Sequence, residues 1–317
     1  MNLFWGTEDI TKDLFKKPVV TIGNFDGCHK GHQEIFSRTR NHASRIGGVS
    51  VVYTFNPHPA SVIKGITPQL IFTVEEKIRS IESLGMDILI VAPFTREYAD
   101  TQPEVFLKET IVRRIGASGM VVGHDFSFGR KALGDIPFLK RMGSKMGFFV
   151  ECVDPVIIEG EVVSSTRIRK LIQSGNVSKA ARLMPHPFSI SGQVVHGMAR
   201  GRGLGYPTAN IQPNKSLLPA YGVYAVRVYS SELSCDAIVN IGNNPTFGDV
   251  GTSIEAYLFD FNGDLYGSDI TIEFIEHIRG EIKFVDKRYL IEQIEADCTK
   301  AKEILRKRQL SESIRHI

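Results

Sequence analysis

The sequence predicts two domains: an α/β domain with a parallel sheet, followed by a small antiparallel β-barrel with a C-terminal helix. The chain has 317 residues, and domains typically have roughly 100–200 residues. The first half alternates short apolar runs with helical stretches, which is typical of βαβ units. After Pro185-His186-Pro187, short β-rich runs follow one another with Gly, Asn and Asp between them. We therefore predict domains over residues 1–185 and 186–317.

The elements of the first domain follow from hydrophobic periodicity and from glycine at helix ends. Parallel sheets bind ligands at the carboxyl ends of their strands, so the loops after the strands are the places to search for a site. Strands are predicted over residues 19–22, 49–55, 88–91, 120–122 and 148–153, and helices over residues 31–45, 75–84, 103–115 and near 137–146.

The second domain is predicted from five short β-rich runs and one long helix. The strands cover residues 191–195, 222–229, 236–241, 253–259 and 269–277. The helix begins after Asp286, whose side chain is suited to an N-cap. One face of this helix is apolar and carries Leu290, Ile291, Ile294, Cys298, Ala301 and Leu305.

Composition excludes several classes of protein. Hydrophobic residues make up 42% and charged residues 23% of the chain, which is ordinary for a globular protein. No apolar run approaches the ~18–20 residues that span a bilayer, and the N-terminus lacks the pattern of a signal peptide. The four cysteines are far apart and form no C-x-x-C pair, so we expect reduced thiols and no zinc site. We expect a cytoplasmic protein with no membrane partner, either monomeric or weakly associated with itself.

The charge balance argues against a nucleic-acid partner. Residues 1–185 carry 24 Lys and Arg against 19 Asp and Glu, and residues 186–317 carry 14 against 16. A mildly basic first half is compatible with a polyanionic ligand, but two ordinary surfaces explain the numbers as well. An RNA-binding barrel would need exposed aromatic residues among Lys and Arg, and the net charge of −2 in the second half argues against it.

A glycine-rich loop with two histidines follows the first predicted strand. It runs from Gly23 to His32, and a helix comes next. Glycines permit tight turns and close approach of the backbone to a ligand, and a helix start attracts anions. His29 and His32 form an H-x-G-H motif whose imidazoles can donate hydrogen bonds to phosphate oxygens. The loop lacks G-K-[ST], so it is not a Walker A motif.

Three more polar segments are predicted at the same edge of the sheet. Asn56 and Asp125 each follow a predicted strand, and Ser165 and Thr166 open a helix that also carries Arg169. Taken singly, the hydroxyls are explained by helix capping and Asp125 by a turn. Taken together with the glycine-rich loop, the segments place four polar loops around one edge of one sheet.

Four motifs of the first half resemble the adenylyltransferase module of bacterial bifunctional riboflavin kinase/FAD synthetases. They are G-N-F-D-G-x-H-x-G-H, T-F-x-P-H-P, G-x-D-F-x-F-G and S-S-T-x-I-R, in this order. The resemblance covers nearly all of residues 15–185, and it implies a Rossmann-like nucleotidyltransferase fold that transfers AMP from ATP to FMN. It implies that His29 and His32 contact the ATP phosphates. It further implies that Gly23, Asn24, Phe25, Asp26, Gly27, Ser165, Thr166 and Arg169 bind ATP, and that Asn56, Asp125, Phe126 and Phe128 line the flavin and metal side.

The second half has its own glycine-rich loop, which includes Gly201, Gly203 and Gly205. Its backbone N–H groups could surround a phosphate chain, although a flexible hairpin is the alternative interpretation. Thr208 and Asn210 follow with oxygens suited to Mg²⁺. Glu255 is a lone carboxylate on an apolar strand, where it is either a residue of the solvent face or a base.

The motifs of the second half resemble riboflavin kinase. They are G-R-G-x-L-G-x-P-T-A-N, N-I-G-x-x-P-T-F, I-E-x-x-x-x-D-F-x-x-D-L-Y-G and R-G-E-I-K-F, and they cover about residues 186–310. The resemblance implies a six-stranded barrel with a C-terminal helix. It implies Gly201, Gly203, Gly205, Thr208 and Asn210 at ATP, with Thr208 and Asn210 as ligands of Mg²⁺, Glu255 as the base, and Arg279, Glu281 and Phe284 at the flavin.

The resemblance predicts an enzyme with riboflavin, FMN and ATP as substrates and Mg²⁺ as cofactor. Riboflavin would be phosphorylated to FMN, and FMN would then be adenylylated to FAD with release of pyrophosphate. Both steps are in-line displacements at phosphorus, which depend mainly on positioning and charge stabilisation. The alternative is that one activity is retained and the other half is a flavin-binding or regulatory module.

Overall fold

The structure is a computed structural model that describes residues 1–197, 205–243 and 252–314, with side chains described up to residue 310. Contacts divide the chain into two compact units, Met1–Ser165 and Thr166–Ile317. The first unit contains a parallel sheet and the second a closed antiparallel barrel with a C-terminal helix. The predicted fold class is therefore confirmed. The boundary predicted at residue 185 stays a prediction, and the division by contacts lies earlier in the chain.

The sheet of the first unit has six strands in the order β1-β4-β3-β2-β5-β6, and every neighbouring pair is parallel. The edge strand β1 was not predicted, and its side chains Leu3 and Trp5 are exposed. A short hairpin follows the sheet. The strands are β1 (Asn2–Trp5), β2 (Val19–Ile22), β3 (Ser50–Asn56), β4 (Ile88–Pro93), β5 (Gly119–Gly123), β6 (Phe149–Val153), β7 (Ile157–Ile158) and β8 (Glu161–Val162).

The four predicted helices of the first unit lie close to their predicted positions, whereas the short helices Pro59–Lys64 and Arg96–Ala99 were not predicted. The stretch predicted as one helix over residues 103–115 consists of a short α-helical turn that continues as a π-helical segment, Phe106–Ile115. The α-helices are α1 (Lys30–Arg45), α2 (Pro59–Lys64), α3 (Val74–Ser83), α4 (Arg96–Ala99), α5 (Pro103–Val105) and α6 (Ile136–Met146). A 3₁₀ turn covers Arg130–Ala132.

The strand order places the candidate loop at a switch point of the sheet. From β2 the chain continues to β3 on one side, whereas β5 pairs with the other side of β2. The four residues of β2 are all buried, as expected for a parallel strand covered on both faces. Ligands bind at the carboxyl ends of strands where the order reverses, so the loop after β2 lies where a ligand is expected.

The second unit is a six-stranded barrel preceded by two helices and followed by one. The barrel order is β10-β13-β12-β11-β14-β9, with antiparallel neighbours. The six strands implied by the resemblance are confirmed. Hydrophobic periodicity predicts five of them, and β10, which follows the glycine-rich loop, is the sixth. The elements are α7 (Ser165–Gln173), α8 (Val177–Leu183), β9 (Ser189–Val195), β10 (Ala209–Pro213), β11 (Gly222–Tyr229), β12 (Ser234–Asn243), β13 (Thr252–Leu258), β14 (Asp269–Arg279) and α9 (Lys287–Ile314).

Helix α9 packs on the outside of the barrel, against β11, β12 and β14. Ala301 and Leu305 are fully buried in a cluster with Val223 and Ile238, which confirms the apolar face predicted for this helix. Asp286 accepts a hydrogen bond from the backbone N–H of Arg288 at 2.8 Å. The predicted N-cap is thus confirmed by its hydrogen bond.

Helix α8 packs against β14 and belongs to the core of the second unit. Its side chains Val177, Ala180 and Leu183 are buried. Burial of one Val or Leu side chain contributes about 1.5–3 kcal/mol. A fragment that begins after α8 therefore loses part of its apolar core.

We expect a fragment of residues 166–317 to be more stable than a fragment of residues 186–317 by at least about 3 kcal/mol, since only the longer one keeps Val177 and Leu183 buried. Urea unfolding of the two fragments, followed by circular dichroism, measures this difference. Equal free energies of unfolding would show that α8 is dispensable for the barrel.

Candidate active sites

The loop between β2 and α1 has an unusual backbone conformation. Phe25, Gly27 and Cys28 all have positive φ, at 48°, 81° and 39°. The Phe25 side chain is buried, and its ring lies so close to Gly23 that an added Cβ would meet it at 2.9 Å. Gly23 is therefore required for the ring of Phe25 to fold back over the start of the loop.

The carboxylate of Asp26 holds this loop in place. The residue is 2% exposed, and its Oδ1 accepts hydrogen bonds from the backbone N–H groups of Ile71 and Phe72, both at 3.0 Å. Its backbone carbonyl accepts a hydrogen bond from Ser165 Oγ at 2.8 Å. Hydrogen bonds to a charged acceptor contribute about 1.5–3 kcal/mol each. Two residues that the resemblance placed at ATP, Asp26 and Ser165, thus hold the loop.

His29 and His32 lie together at the start of α1. Their rings are stacked with centroids 3.6 Å apart. The ring of His32 also packs edge-to-face with that of Phe25, with centroids 5.1 Å apart. His29 is the N-cap residue of α1, and its Nδ1 accepts the backbone N–H of His32 at 3.4 Å. A neutral His29 therefore carries its proton on Nε2. The structure brings the two predicted histidines together at a helix N-terminus.

The environment of His32 favours its neutral form. Burial, followed by the nearby His29 and Lys77, lowers the pKa of His32 well below its usual value of 6.5. Among the described residues, no hydrogen-bond partner reaches the buried Nδ1 of His32. A neutral imidazole with a buried, unpartnered nitrogen is suited to a ligand that supplies the missing hydrogen bond.

Cys28 is a packing residue. Its side chain is fully buried, and its Sγ donates to the carbonyl of Phe25 at 3.4 Å. Burial raises the pKa of the thiol to about 12. A protonated thiol is a poor nucleophile, so the geometry gives Cys28 a packing role.

The other strand-end residues of the first unit lie at the same edge of the sheet. Asn56 ends β3 and Asp125 follows β5, and both side chains are exposed. Thr54 Oγ1 donates to the carbonyl of Asn24 at 3.3 Å, which connects β3 to the loop. Phe126 and Phe128 stack on each other at 5.3 Å, and both pack against the core under the sheet.

Thr166 and Arg169 lie on α7 beyond Ser165. Thr166 is exposed and Arg169 is half-buried. Both belong to the second unit in the division by contacts. Their place at an ATP site therefore stays a prediction.

In the second unit, strand register aligns the predicted kinase residues in one row of the barrel wall. Asn210 pairs with Glu255, and Glu255 pairs with Asn240 on its other side. Asn240 pairs with Val223, which pairs with Arg279. Directly opposite residues of neighbouring strands point to the same face, and Val223 lies in the cluster under α9. The row from Asn210 to Arg279 is thus on the outer face of the barrel.

The glycine-rich loop of the second unit is described only at its ends. Gly201 and Gly203 lie outside the described residues, whereas Gly205 has a φ of +85°. Thr208 is half-buried and Asn210 is buried. Gly197 lies against the side chain of Asn210, and a Cβ at this position would collide with it.

The structure shows contacts within the protein for the three residues predicted at the flavin, Arg279, Glu281 and Phe284, and the sequence did not predict these contacts. Arg279 forms a two-oxygen ion pair with Asp297 of α9 and lies 5.9 Å from the ring centroid of Phe284. Oε1 of Glu281 lies 2.8 Å from the position of a Cβ on Gly242, so the carboxylate reaches β12. The structure gives Arg279 a partner within the protein, and the flavin role of all three residues stays a prediction.

Sequence reasoning gave no individual role to three polar residues of these sites. Lys77 is 8% exposed, and its burial lowers its pKa while the neighbouring Asp26 raises it. Asn240 lies beside Glu255 by register. Asp297 lies within the apolar stripe of α9, between Ile294 and Ala301. A carboxylate among apolar residues was the sequence signal that could have indicated a buried partner.

Two kinds of feature are absent from the described residues. No group of three or more His, Cys, Asp and Glu side chains in this part of the chain is arranged to hold a metal ion. No helix in the same part is both long enough and apolar enough to cross a membrane.

Comparison with known proteins assigns each half of the chain to a family. Residues 11–167 match the family model of FAD synthetase, and residues 184–305 match that of riboflavin kinase. A bifunctional riboflavin kinase/FMN adenylyltransferase from Haemophilus influenzae is 35% identical over 89% of this chain and 92% of the relative. This chain belongs to the bifunctional riboflavin kinase/FMN adenylyltransferase family. The relative of the same name from Bacillus subtilis is 36% identical over 92% of this chain and 94% of its own length.

A solved structure shares the architecture over nearly the full length of both chains. It is titled a macrolide-efflux protein from Streptococcus pneumoniae, has a TM-score of 0.87 and 32% sequence identity, and covers 95% of this chain and 99% of its own. Its title names efflux, whereas the family models and the curated relatives name flavin chemistry. The similarity supports the fold described above.

We expect the free energy of unfolding to decrease as pH falls below 6.5, in part because of His32. Its pKa is lowered in the folded protein, so the unfolded chain binds more protons below pH 6.5 and is favoured there. One such group contributes a slope of up to about 1.4 kcal/mol per pH unit. Denaturant unfolding between pH 7.5 and 5 should give a shallower slope for His32→Gln than for wild type.

His277 supplies the matched control, because burial also lowers its pKa in the second unit. His277→Gln should reduce the slope through a separate group, and the two reductions should add. An unchanged slope in His32→Gln would show that His32 is not held neutral by the fold.

Proposed function

We propose that this chain catalyses both reactions of its family, each in its own unit. Riboflavin and ATP give FMN and ADP in the second unit, and FMN and ATP give FAD and pyrophosphate in the first. The observation that supports the proposal is that each unit holds its own grouping of polar residues from the predicted sites. One is the stacked His29 and His32 at the N-terminus of α1, and the other is the row Asn210, Glu255 and Asn240 in the barrel.

Adenylyl transfer requires stabilisation of charge rather than a covalent intermediate. A phosphate oxygen of FMN attacks the α-phosphorus of ATP, the new P–O bond forms, and the bond to pyrophosphate breaks. The Nε2–H of His29 is suited to donate to a phosphate oxygen, and the positive end of α1 favours the same anion. In its Nδ1–H tautomer, neutral His32 supplies a second donor, and a phosphate oxygen would be the acceptor that this nitrogen lacks among the described residues.

Other predicted residues of the first site hold the loop that positions the two histidines. Asp26 shapes the loop rather than binding ATP, because its carboxylate is already engaged by backbone N–H groups. Ser165 contributes through the carbonyl of Asp26. The other members of the ATP site in this unit are Gly23, Asn24, Phe25 and Gly27, and the flavin and metal side is assigned to Asn56, Asp125, Phe126 and Phe128.

Phosphorylation of riboflavin requires a base near the ribityl 5′-hydroxyl. Glu255 accepts the proton of this hydroxyl, the oxygen attacks the γ-phosphorus of ATP, and ADP leaves. The half-buried Glu255 is flanked in register by the amides of Asn210 and Asn240. Amide groups on both sides can orient the carboxylate and the polar substrate chain without adding charge.

The donor set next to Glu255 fits Mg²⁺. The Thr208 hydroxyl and the Asn210 amide oxygen are hard oxygen ligands, and the buried Asn210 is opposite the Glu255 carboxylate. Mg²⁺ prefers oxygen ligands and keeps few of them from the protein. When bound, Mg²⁺ neutralises charge on the transferred phosphate. Thr208 and Asn210 are the residues that would hold it. A cytoplasmic location and a monomeric or weakly associated state stay predictions from sequence.

A paired assay of two variants tests the assignment of sites to units. His29→Asn keeps a side chain that caps helices well but removes the imidazole. It should lower FAD formation from FMN by about 10²–10³-fold and leave FMN formation intact. Glu255→Gln should lower FMN formation from riboflavin by about 10²–10⁴-fold and leave FAD formation intact.

Both rates are measured on each preparation with Mg-ATP, and the flavins are separated by chromatography. Loss of both activities in one variant would contradict independent sites. Retention of FMN formation within a few-fold in Glu255→Gln would remove Glu255 from the role of base. A wild-type chain that forms only one product would support the alternative of a single retained activity.

A further inference from the structure

Arg279 at the end of β14 is committed to contacts within the protein. Its Nε donates to both carboxylate oxygens of Asp297, at 3.1 and 2.9 Å, and its Nη2 lies 2.8 Å from Oδ2. Its Nη1 donates to the carbonyl of Gly280 at 2.9 Å. The guanidinium also lies 5.9 Å from the ring centroid of Phe284. One side chain thus joins α9 to both ends of the segment 280–284.

Asp297 is built into the fold as the partner of this arginine. Its side chain is 4% exposed and that of Arg279 is 18% exposed. Gln293, one helical turn earlier on α9, donates to Oδ1 of Asp297 at 2.9 Å. A buried carboxylate needs both charge pairing and hydrogen bonds. Asp297 has both, so its carboxylate is held in one orientation.

The strand register connects this ion pair to the row of Asn210, Glu255 and Asn240 in the barrel wall. Arg279 is opposite Val223, which is opposite Asn240, the neighbour of Glu255. Glu281, which follows Arg279 by two residues, reaches Gly242 on β12 with its carboxylate. The segment that begins at Arg279 therefore returns to the strand that carries Asn240.

We propose that Asp297 is a positioning residue for riboflavin phosphorylation, acting through Arg279 on the segment 280–284. The proposal rests on the proposed function and on the prediction from sequence that this segment contacts the flavin. Asp297 fixes the guanidinium, and the guanidinium fixes Gly280 and Phe284. In this way α9 is a part of the kinase site as well as a cover for the apolar barrel wall. Without the carboxylate, Arg279 turns toward water and the segment loses its anchor.

The test compares Asp297→Asn with Lys300→Met. Lys300 also joins α9 to β14, since its Nζ donates to the carbonyl of Ile278 at 3.3 Å, but it has no contact with the Arg279 side chain among the described interactions. Asp297→Asn should raise KM for riboflavin at least 10-fold with kcat within about 3-fold of wild type. Lys300→Met should leave both constants within about 3-fold.

Two further variants separate positioning from folding. Asp297→Glu keeps the charge and should restore most of the affinity for riboflavin. Gln293→Ala removes only the support of Asp297 and should raise KM in the same direction by a smaller factor, which keeps the test open if Asp297→Asn does not fold. Formation of FAD from supplied FMN should be unchanged in all four variants, because the first unit is untouched.

The outcomes distinguish a failure of the role of Asp297 from a failure of the proposed kinase function. Equal effects of Asp297→Asn and Lys300→Met would overturn the inference, because general docking of α9 would then explain both. An unchanged KM in Asp297→Asn and Gln293→Ala would also overturn it. A wild-type chain that does not phosphorylate riboflavin would instead refute the proposed function of the second unit.

Discussion

The buried carboxylate of Asp26 is the interaction on which the first site depends. It binds the backbone N–H groups of Ile71 and Phe72 just before α3 begins, and its carbonyl binds Ser165 at the start of α7. Between β2 and α1 the chain passes through the positive φ angles of Phe25 and Cys28. Such a conformation costs free energy and persists only where its surroundings hold it. Asp26 supplies that support, and the histidine pair takes its position from the loop.

In the second unit, strand register positions the polar side chains of the predicted site, whereas a strained loop does so in the first unit. A closed barrel fixes which residues are opposite one another, so Asn210, Glu255 and Asn240 share a face because their strands pair in one register. A slip by one residue would move these side chains to the other face. The ion pair of Arg279 with Asp297 connects the end of β14 to α9. Both units thus use backbone hydrogen bonds to fix a small number of polar side chains.

Much of this arrangement was predictable from local pattern. The strand–loop–helix order around His29 and His32 follows from a β-rich run, glycines and a helical period, and the structure agrees within a residue or two. Edge strand β1 lacked the signal because its side chains Leu3 and Trp5 are exposed. Strand β10 was missed because the glycine-rich loop continues directly into it.

The contacts that determine the sites could not be predicted. The partners of Asp26 are 45 and 46 residues away in the sequence, and no periodic pattern encodes such a contact. Asp297 occupies a position of the apolar stripe of α9. The reason for a charge at this position is seen only in the structure, where Arg279 donates a hydrogen bond to the carboxylate. Lys77 lies on a helix whose buried positions include Glu76 and Ser80, and hydrophobic periodicity does not mark such a face.

A crystal structure of the wild-type chain with riboflavin, Mg²⁺ and a non-hydrolysable ATP analogue would show where each nucleotide binds. We predict two bound nucleotides. One has its phosphates at His29, His32 and the N-terminus of α1, and the other has its phosphates facing Thr208 and Asn210 with the riboflavin hydroxyl about 2.6–3.2 Å from Glu255. A single nucleotide serving both reactions, or phosphates bound away from these residues, would contradict the account.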